Sequence, residues 1–400
     1  MHLSRKVGTA IVQLDIEQMS PDVGVDGRYT RAFVLIRRRG TPVAQFYVPV
    51  VDGRVDMQDA AHALLKQVWT SRWRWAVDDY LGPAVRTSPL PAAAVAICTR
   101  ERPEDLTRAL HAVAALQPVP AEIIVVDNNP ATDRTREVAA RFPGVRYVRE
   151  DRPGLDAARN RALAEATASI VAFTDDDAAP EAAWLGHLLE AFDDPRVLCA
   201  TGLTLPLELE TPAQEWFERL SPFARGFERV VFDGTRHDPV DVAPCGAGAN
   251  MAVRRTLIDR IGGFDEALDA GTLTKSGGDH EMFGRILAGG YRIVYDPRAV
   301  SWHRHRRTWE ALREALYGYG VGVYAMWTRR LLLEREFGTV RHAARWLRFT
   351  QLPRLWQTLR GAPGRVPLDL LFAELRGCLA GPLAYFVARR RARAWVERRQ

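Results

Sequence analysis

From residue 92 onward, unbroken apolar runs alternate with segments whose leucines and alanines recur at helical spacing. Residues 92–98, 122–126, 145–148 and 170–174 predict strands, and residues 104–116, 132–142 and 155–166 predict helices between them. Strands apolar along their whole length are covered on both faces, and strand–helix alternation of this kind builds a mostly parallel sheet. The pattern changes on either side. Before it, residues 31–36 and 44–48 predict strands, with turns at Arg39-Gly40 and Asp52-Gly53 and a helical stretch over 60–68. The Thr87-Ser88-Pro89-Leu90-Pro91 segment marks the boundary. After residue 308 the chain is helical and rich in Arg, Trp and Leu. Residues 344–349 and 355–359 suit an amphipathic membrane-interface surface, with ordinary helix packing as the alternative. Three regions are therefore expected. They are a small α+β accessory region over 1–91 with no chemistry of its own, an α/β domain over 92–307, and an Arg-rich helical region over 308–400.

Ligands of parallel sheets sit beyond the carboxyl ends of the strands, which selects three stretches. Cys98-Thr99-Arg100 follows the first strand, Asp127-Asn128-Asn129 the second, and Asp175-Asp176-Asp177 the fourth. Three adjacent carboxylates repel one another unless a cation or strong donors compensate. A hard divalent ion such as Mg²⁺ or Mn²⁺ takes carboxylate oxygens and keeps phosphate oxygens as further ligands. The alternative is a helix N-cap, if residues 178–181 open a helix, but one aspartate suffices for a cap. Asp127 can accept from a ribose hydroxyl or a base N–H. Arg159 lies among alanines on a helix expected to press against the sheet, from where it can reach the cleft. His303 and His305 follow a short strand at 299–302. An imidazole there can complete a metal shell, and Arg304, Arg306 or Arg307 can meet phosphate.

Composition narrows this only at the edges. The 400 residues are 47% hydrophobic with net charge +6, which suits a globular protein with a sizeable core. The four cysteines form no CxxC pair, so neither a disulfide framework nor a zinc finger is expected. Residues Met1 to Lys6 lack the apolar run of a signal peptide, and a cytoplasmic protein is expected. The apolar stretch over 366–388 is broken by Asp369, Glu374 and Arg376 and reads as a poor membrane span. Arg389, Arg390, Arg391, Arg393, Arg398 and Arg399 crowd the end, which suits equally a solvated helical tail and one resting on anionic lipid at the inner membrane face. No nucleic-acid partner is expected.

Four stretches occur in an order and spacing that resemble family 2 glycosyltransferases of the GT-A fold: Ala96-Ile97-Cys98-Thr99-Arg100-Glu101-Arg102-Pro103, Ile124-Val125-Val126-Asp127-Asn128-Asn129, Gly154-Leu155-Asp156-Ala157-Ala158-Arg159-Asn160 and Phe173-Thr174-Asp175-Asp176-Asp177. The second half is similar too, with Gly246-Ala247-Gly248-Ala249-Asn250, Ile261-Gly262-Gly263-Phe264-Asp265-Glu266 and Gly278-Asp279-His280-Glu281. The resemblance covers residues 92–307. It implies a nucleotide-sugar donor (UDP-, GDP- or dTDP-linked) held by Thr99, Arg100, Asp127, Arg159, Asp175 and Asp176, and a metal held by Asp175, Asp177 and His303. Asp279 would be the catalytic base, with Gly248, Asn250, Glu281 and Trp302 on the acceptor side. The chain departs from the family at Gly278, where a glutamate is usual, which makes Glu281 a second candidate base.

The expected activity is inverting transfer of a sugar to a hydroxyl on a glycan or lipid-linked acceptor, in surface polysaccharide or glycolipid assembly. A non-catalytic nucleotide-sugar-binding module is the main alternative. An Asp-based phosphotransferase would need its aspartate pair on the first strand, and a Rossmann dehydrogenase would need a glycine motif after it. This chain has neither.

Overall fold

The computed structural model describes residues 8–20, 22–68, 72–82 and 88–397. The Met1–Lys6 stretch, Thr87 of the boundary segment, and Arg398 and Arg399 of the basic tail lie outside the described residues.

The N-terminal region is a four-stranded sheet in the order β1 (Thr9–Asp15), β2 (Arg31–Arg38), β3 (Thr41–Val51), β4 (Arg54–Val55), followed by helices α1 (Met57–Val68) and α2 (Arg72–Leu81). The β2–β3 hairpin turns at Arg39 and Gly40, both with positive φ. Phe33 through Ile36 are all buried because the sheet is covered twice. Val34 and Ile36 face the region's own core with Ala60 of α1, whereas Phe33 and Leu35 pack on Leu203, Leu205, Leu209 and Val300 of the next region.

The central sheet uses β5 (Ala93–Thr99), β6 (Glu122–Asn128), β7 (Val145–Glu150), β8 (Ile170–Asp175), β9 (Ala178–Pro180), β10 (Val197–Pro206), β11 (Val230–Asp233), β12 (Asn250–Arg254) and β13 (Arg292–His303). The helices among these strands are α3 (Pro103–Ala114), α4 (Arg134–Ala139), α5 (Leu155–Glu165), α6 (Trp184–Leu189), α7 (Pro212–Leu220), α8 (Leu257–Ile261) and α9 (Gly278–Ala288). The order is β11-β13-β10-β12-β8-β5-β6-β7, with β9 on β13. β8, β5, β6 and β7 form the parallel run that the apolar segments predict. Beyond β8 the sheet becomes mixed, because β12 enters antiparallel between β8 and β10. A hydrophobic core lies on each face, one built around Leu163, Phe173 and Phe283, the other around Leu110, Trp184 and Ile97.

Helices α10 (Trp309–Arg329), α11 (Gly338–Trp346), α12 (Leu352–Leu359) and α13 (Leu368–Glu397) close the chain. α10 and α13 cross in backbone contact. A Cβ at Gly320 would overlap the Glu374 carbonyl, and one at Gly377 would overlap the Tyr317 carbonyl, so only glycine permits this approach. Over Leu368–Trp395, α13 is long and apolar enough to cross a membrane by length and composition, with 39% of its most apolar window buried. The sequence pattern discounted it because of Asp369, Glu374 and Arg376, which all fall in its first three turns.

Candidate active site

Strand register assembles the cluster. β5 pairs with β8 so that Cys98 lies opposite Asp175, and with β6 so that Thr99 lies opposite Asp127. Past Asp175 the chain turns through Asp176 and Asp177 into β9, which pairs antiparallel with β13 and sets Ala178 opposite His303. Residues 178–180 are therefore strand, and the aspartates cap no helix. This pairing places His303 Nε2 3.1 Å from Asp177 Oδ1.

These groups face a cavity of about 280 Å³, whose walls include Thr99, Arg100, Asp175, Asp176, Asp177 and His303. Its charge is shared unevenly. Asp176 accepts from the Thr99 hydroxyl at 2.6 Å and from Arg102 at 3.1 Å. Asp177 is 3.2 Å from Arg102 and 3.3 Å from Arg306. Burial and the neighbouring Asp177 charge push Asp176 up to about 7. Burial would raise Asp177 as well, but His303, Arg306 and Arg102 outweigh it and hold it well below the usual carboxylate range. Asp175 is raised by burial and by Asp177, and its carboxylate has no hydrogen-bond partner among the described residues. Asp175, Asp177 and His303 each offer a ligand atom, all within 4.8 Å of one another. Two carboxylate oxygens and an imidazole nitrogen, one of the carboxylates unpartnered, fit a hard divalent ion that completes its shell with phosphate oxygens.

Other expected residues stand back from this cavity. Asp127 is fully buried at the end of β6. Its Oδ2 accepts from Tyr147 at 3.0 Å, and Thr135 is a further hydrogen-bonding neighbour of the carboxylate. Asn128 faces the cavity instead. Arg159 does not reach into the cleft as expected. It is buried and bonded to Asp156 at 2.9 Å and Asp269 at 2.8 Å, with the Phe264 ring 5.5 Å away. Small neighbours did let α5 press on the sheet, but the arginine was drawn to two buried carboxylates.

Asp279 opens α9 and accepts backbone N–H bonds from Gly248 at 2.7 Å and His280 at 2.8 Å. Burial opposes its charge, yet His280, Arg159 and the two N–H donors leave its pKa lowered. A Cβ at Gly248 would come within 2.7 Å of Arg159 Nη2, so glycine is what lets this backbone reach Asp279. The departure at Gly278 has a steric cause, because a side chain there would overlap the Asp156 carboxylate.

Three acceptor-side expectations meet structural partners instead. Glu281 is buried and paired with Arg285 and Arg329, both at 2.6 Å, which removes it as an alternative base. Asn250 is buried in the sheet, bonded to Trp184 at 2.7 Å and to the carbonyls of Leu203 and Ala299. Trp302 donates to Glu181 at 2.9 Å and packs against the Phe33 cluster. Of the arginines proposed for phosphate, Arg306 meets the cluster, whereas Arg304 pairs with Asp105 at 3.1 Å and Arg307 with Glu208 at 2.7 Å. Arg102 was missed as a site residue, although its place in the loop after the first strand was a usable signal.

The glycosyl transferase family 2 model matches residues 94–262, which span β5 to the residue after α8. The chain carries a glycosyl transferase family 2 domain. A pre-mycofactocin glycosyltransferase of Mycobacterium tuberculosis is 30% identical over 273 residues, covering 67% of this chain and 53% of that protein. This chain thus spans about half the length of that relative. Glycosyltransferase AglE of Haloferax volcanii is 25% identical over 281 residues, 67% of this chain and 84% of its own. Among solved structures, the mannosyltransferase PcManGT from Pyrobaculum calidifontis, in complex with GDP-Man and Mn²⁺, is 19% identical with a TM-score of 0.44, and the alignment covers 79% of each chain. The family 2 match contains the three aspartates, Arg159 and Gly248. His303 and Asp279 lie beyond it and join the site through β13 and α9.

Proposed function

We propose that this chain is an inverting glycosyltransferase that moves a sugar from a nucleotide diphosphate donor to an acceptor hydroxyl. The observation that carries this reading is the convergence of Asp175, Asp177 and His303 on one cavity within a family 2 domain. The relatives named above are glycosyltransferases, which supports it.

In this scheme Asp175, Asp177 and His303 would hold a divalent ion, which would supply Lewis-acid charge against the departing diphosphate. Arg102 and Arg306 stand beside the same oxygens and add positive charge without leaving water entirely, being 44% and 38% exposed. Thr99 and Asn128 line the donor end, with Asp127 behind them. Asp279 takes the acceptor proton while the acceptor oxygen bonds to the sugar C1 and the bond from C1 to the diphosphate breaks. Attack from the opposite face inverts C1. His280, Arg159 and the two N–H donors favour the ionised form of Asp279, the form a base requires.

The same reading places the acceptor at a membrane surface. Phe337, Phe349, Trp356, Leu359, Leu379 and Leu383 are exposed on the C-terminal helices and the loops joining them. Arginines are interleaved with them, as where Arg360 lies 3.4 Å over the Trp356 ring. A lipid-linked or glycan acceptor of surface polysaccharide or glycolipid assembly fits that setting. Co-sedimentation with anionic vesicles should fall when Trp356 and Leu359 are changed to serine, and unchanged partitioning would remove the membrane from the proposal. The stereochemistry is read from the anomeric configuration of the product by proton NMR. Asp279→Asn should lower kcat by about 10²–10⁴-fold, and a retained anomer would refute the inverting route.

A further inference from the structure

α10 is held against both halves of the proposed site, and the glycines of Tyr317-Gly318-Tyr319-Gly320-Val321-Gly322 fix how closely. One side of the helix rests on the loop that leads into Asp279. The Ser276 hydroxyl donates to the Gly318 carbonyl at 2.9 Å, and a Cβ at Gly322 would overlap Ser276. Another side carries Leu312 and Leu316, which pack with Phe217 of α7. The Phe217 ring stacks at 4.3 Å on His305, two residues from His303. At about 100° per residue, Tyr319 falls between these two sides of the helix.

Two rings stand edge-on to the buried Phe217, Phe223 at 5.5 Å and Tyr319 at 6.1 Å, and both are partly exposed. Phe223 in turn lies edge-on to His303 at 5.1 Å. The Tyr319 hydroxyl makes no hydrogen bond among the described residues. Burial raises its pKa; Arg306 opposes that, while Asp177, Asp279 and Asp269 add to it, so the phenol keeps its proton. The charges acting on it belong to both halves of the site, the aspartate cluster and the surroundings of the base. An aromatic surface with one uncommitted hydroxyl suits a sugar ring, whose C–H face packs on the rings while its hydroxyls hydrogen-bond. Asn250, Glu281 and Trp302, the acceptor-side residues expected from the sequence, are by contrast held by partners within the fold.

We infer that Tyr319 is an acceptor-binding residue, that its hydroxyl holds a hydroxyl of an acceptor sugar beside Asp279, and that the acceptor is therefore a carbohydrate rather than a bare lipid phosphate. This rests on the transferase reading above and adds the class of acceptor to it.

The test measures transfer from a sugar nucleotide to a panel of p-nitrophenyl glycosides and to farnesyl phosphate, by wild type, Tyr319→Phe and Tyr319→Leu, with thermal unfolding of each. Tyr319→Phe keeps the ring on Phe217 and removes the hydroxyl alone. Tyr319→Leu removes the ring as well; if it does not fold, Tyr319→Phe decides. The expected result is transfer by wild type to at least one glycoside, with the KM for that acceptor raised about three- to tenfold in Tyr319→Phe, as the loss of one hydrogen bond implies, and raised further in Tyr319→Leu. The KM for the donor should stay where it is, and the unfolding midpoint of Tyr319→Phe should not move, because the hydroxyl holds nothing in the fold. An unchanged acceptor KM in Tyr319→Phe, or a donor KM that rises with it, would overturn the role of Tyr319. Nucleotide release with transfer to farnesyl phosphate alone, or to none of the probes, would overturn the sugar acceptor. Release of nucleotide from no donor by the wild type would overturn the transferase reading beneath both.

Discussion

Two groups of aspartates, one at the end of β8 and one around Arg159 of α5, solve the same electrostatic problem differently. Asp175, Asp176 and Asp177 lie beside cations held on partly exposed side chains, Arg102 and Arg306, and Asp175 has no hydrogen-bond partner among the described residues. Asp156 and Asp269 enclose one buried guanidinium, that of Arg159, which bonds both directly. The open group is unfinished in a way that a ligand can complete. The sealed group is complete, and it spends its charge on fixing the loop around residues 266–279 against α5. The contrast separates aspartates that bind from aspartates that build, which residue type alone does not do.

The largest expected effect comes from breaking the sealed group. Arg159→Met leaves the buried carboxylates of Asp156 and Asp269 without their cation and should cost about 3–5 kcal/mol in denaturant unfolding. Arg102→Met should cost less than about 1 kcal/mol, because its guanidinium is 44% exposed, yet it should weaken nucleotide binding measured by calorimetry. Equal stability losses would erase the distinction between the groups.

Next in size is Asp175→Asn. It should lower turnover by about 10²-fold or more while raising the melting temperature of the metal-free protein, since it removes a charge that burial and Asp177 disfavour. A lowered melting temperature would show that Asp175 belongs with the structural carboxylates.

The smallest effect is a pH dependence. Asp156 has its folded pKa raised well above the ordinary value, first by burial and then by Asp269. A raised carboxyl pKa gives stability that is full below the unfolded pKa and lost as pH rises through the folded one. Asp156→Asn should therefore gain on the wild type as pH is increased from about 4, read from urea midpoints. A gain that shrinks with rising pH would contradict the sign.

Much of this site was legible because its residues end apolar strands. Strands β5, β6 and β8 were readable from periodicity, and their register brings Thr99 and the aspartates together. His303 was legible as an imidazole after a strand, although the pairing of β9 with β13 that delivers it was not, because three residues carry no periodic signal. Arg159, Glu281 and Asn250 were misplaced for one reason. A polar residue beside an active-site motif looks the same in sequence whether it faces the cleft or satisfies a buried partner, and the partners lay far along the chain, in Asp269 for Arg159, in α10 for Glu281, and in Trp184, Leu203 and Ala299 for Asn250. Strand β1 was missed because its apolar residues are interrupted by Gln13 and flanked by Thr9 and Asp15, and it pairs in parallel with β2 rather than in a hairpin. The antiparallel entry of β12 follows from long-range pairing that no local pattern encodes.

The most direct test of the account is nucleotide release from a panel of UDP-, GDP- and dTDP-sugars, with and without Mn²⁺, by wild type and Asp177→Asn. The account predicts release from at least one donor, dependent on the ion and lost in Asp177→Asn. Release from no donor, or release that persists unchanged in Asp177→Asn, would contradict it.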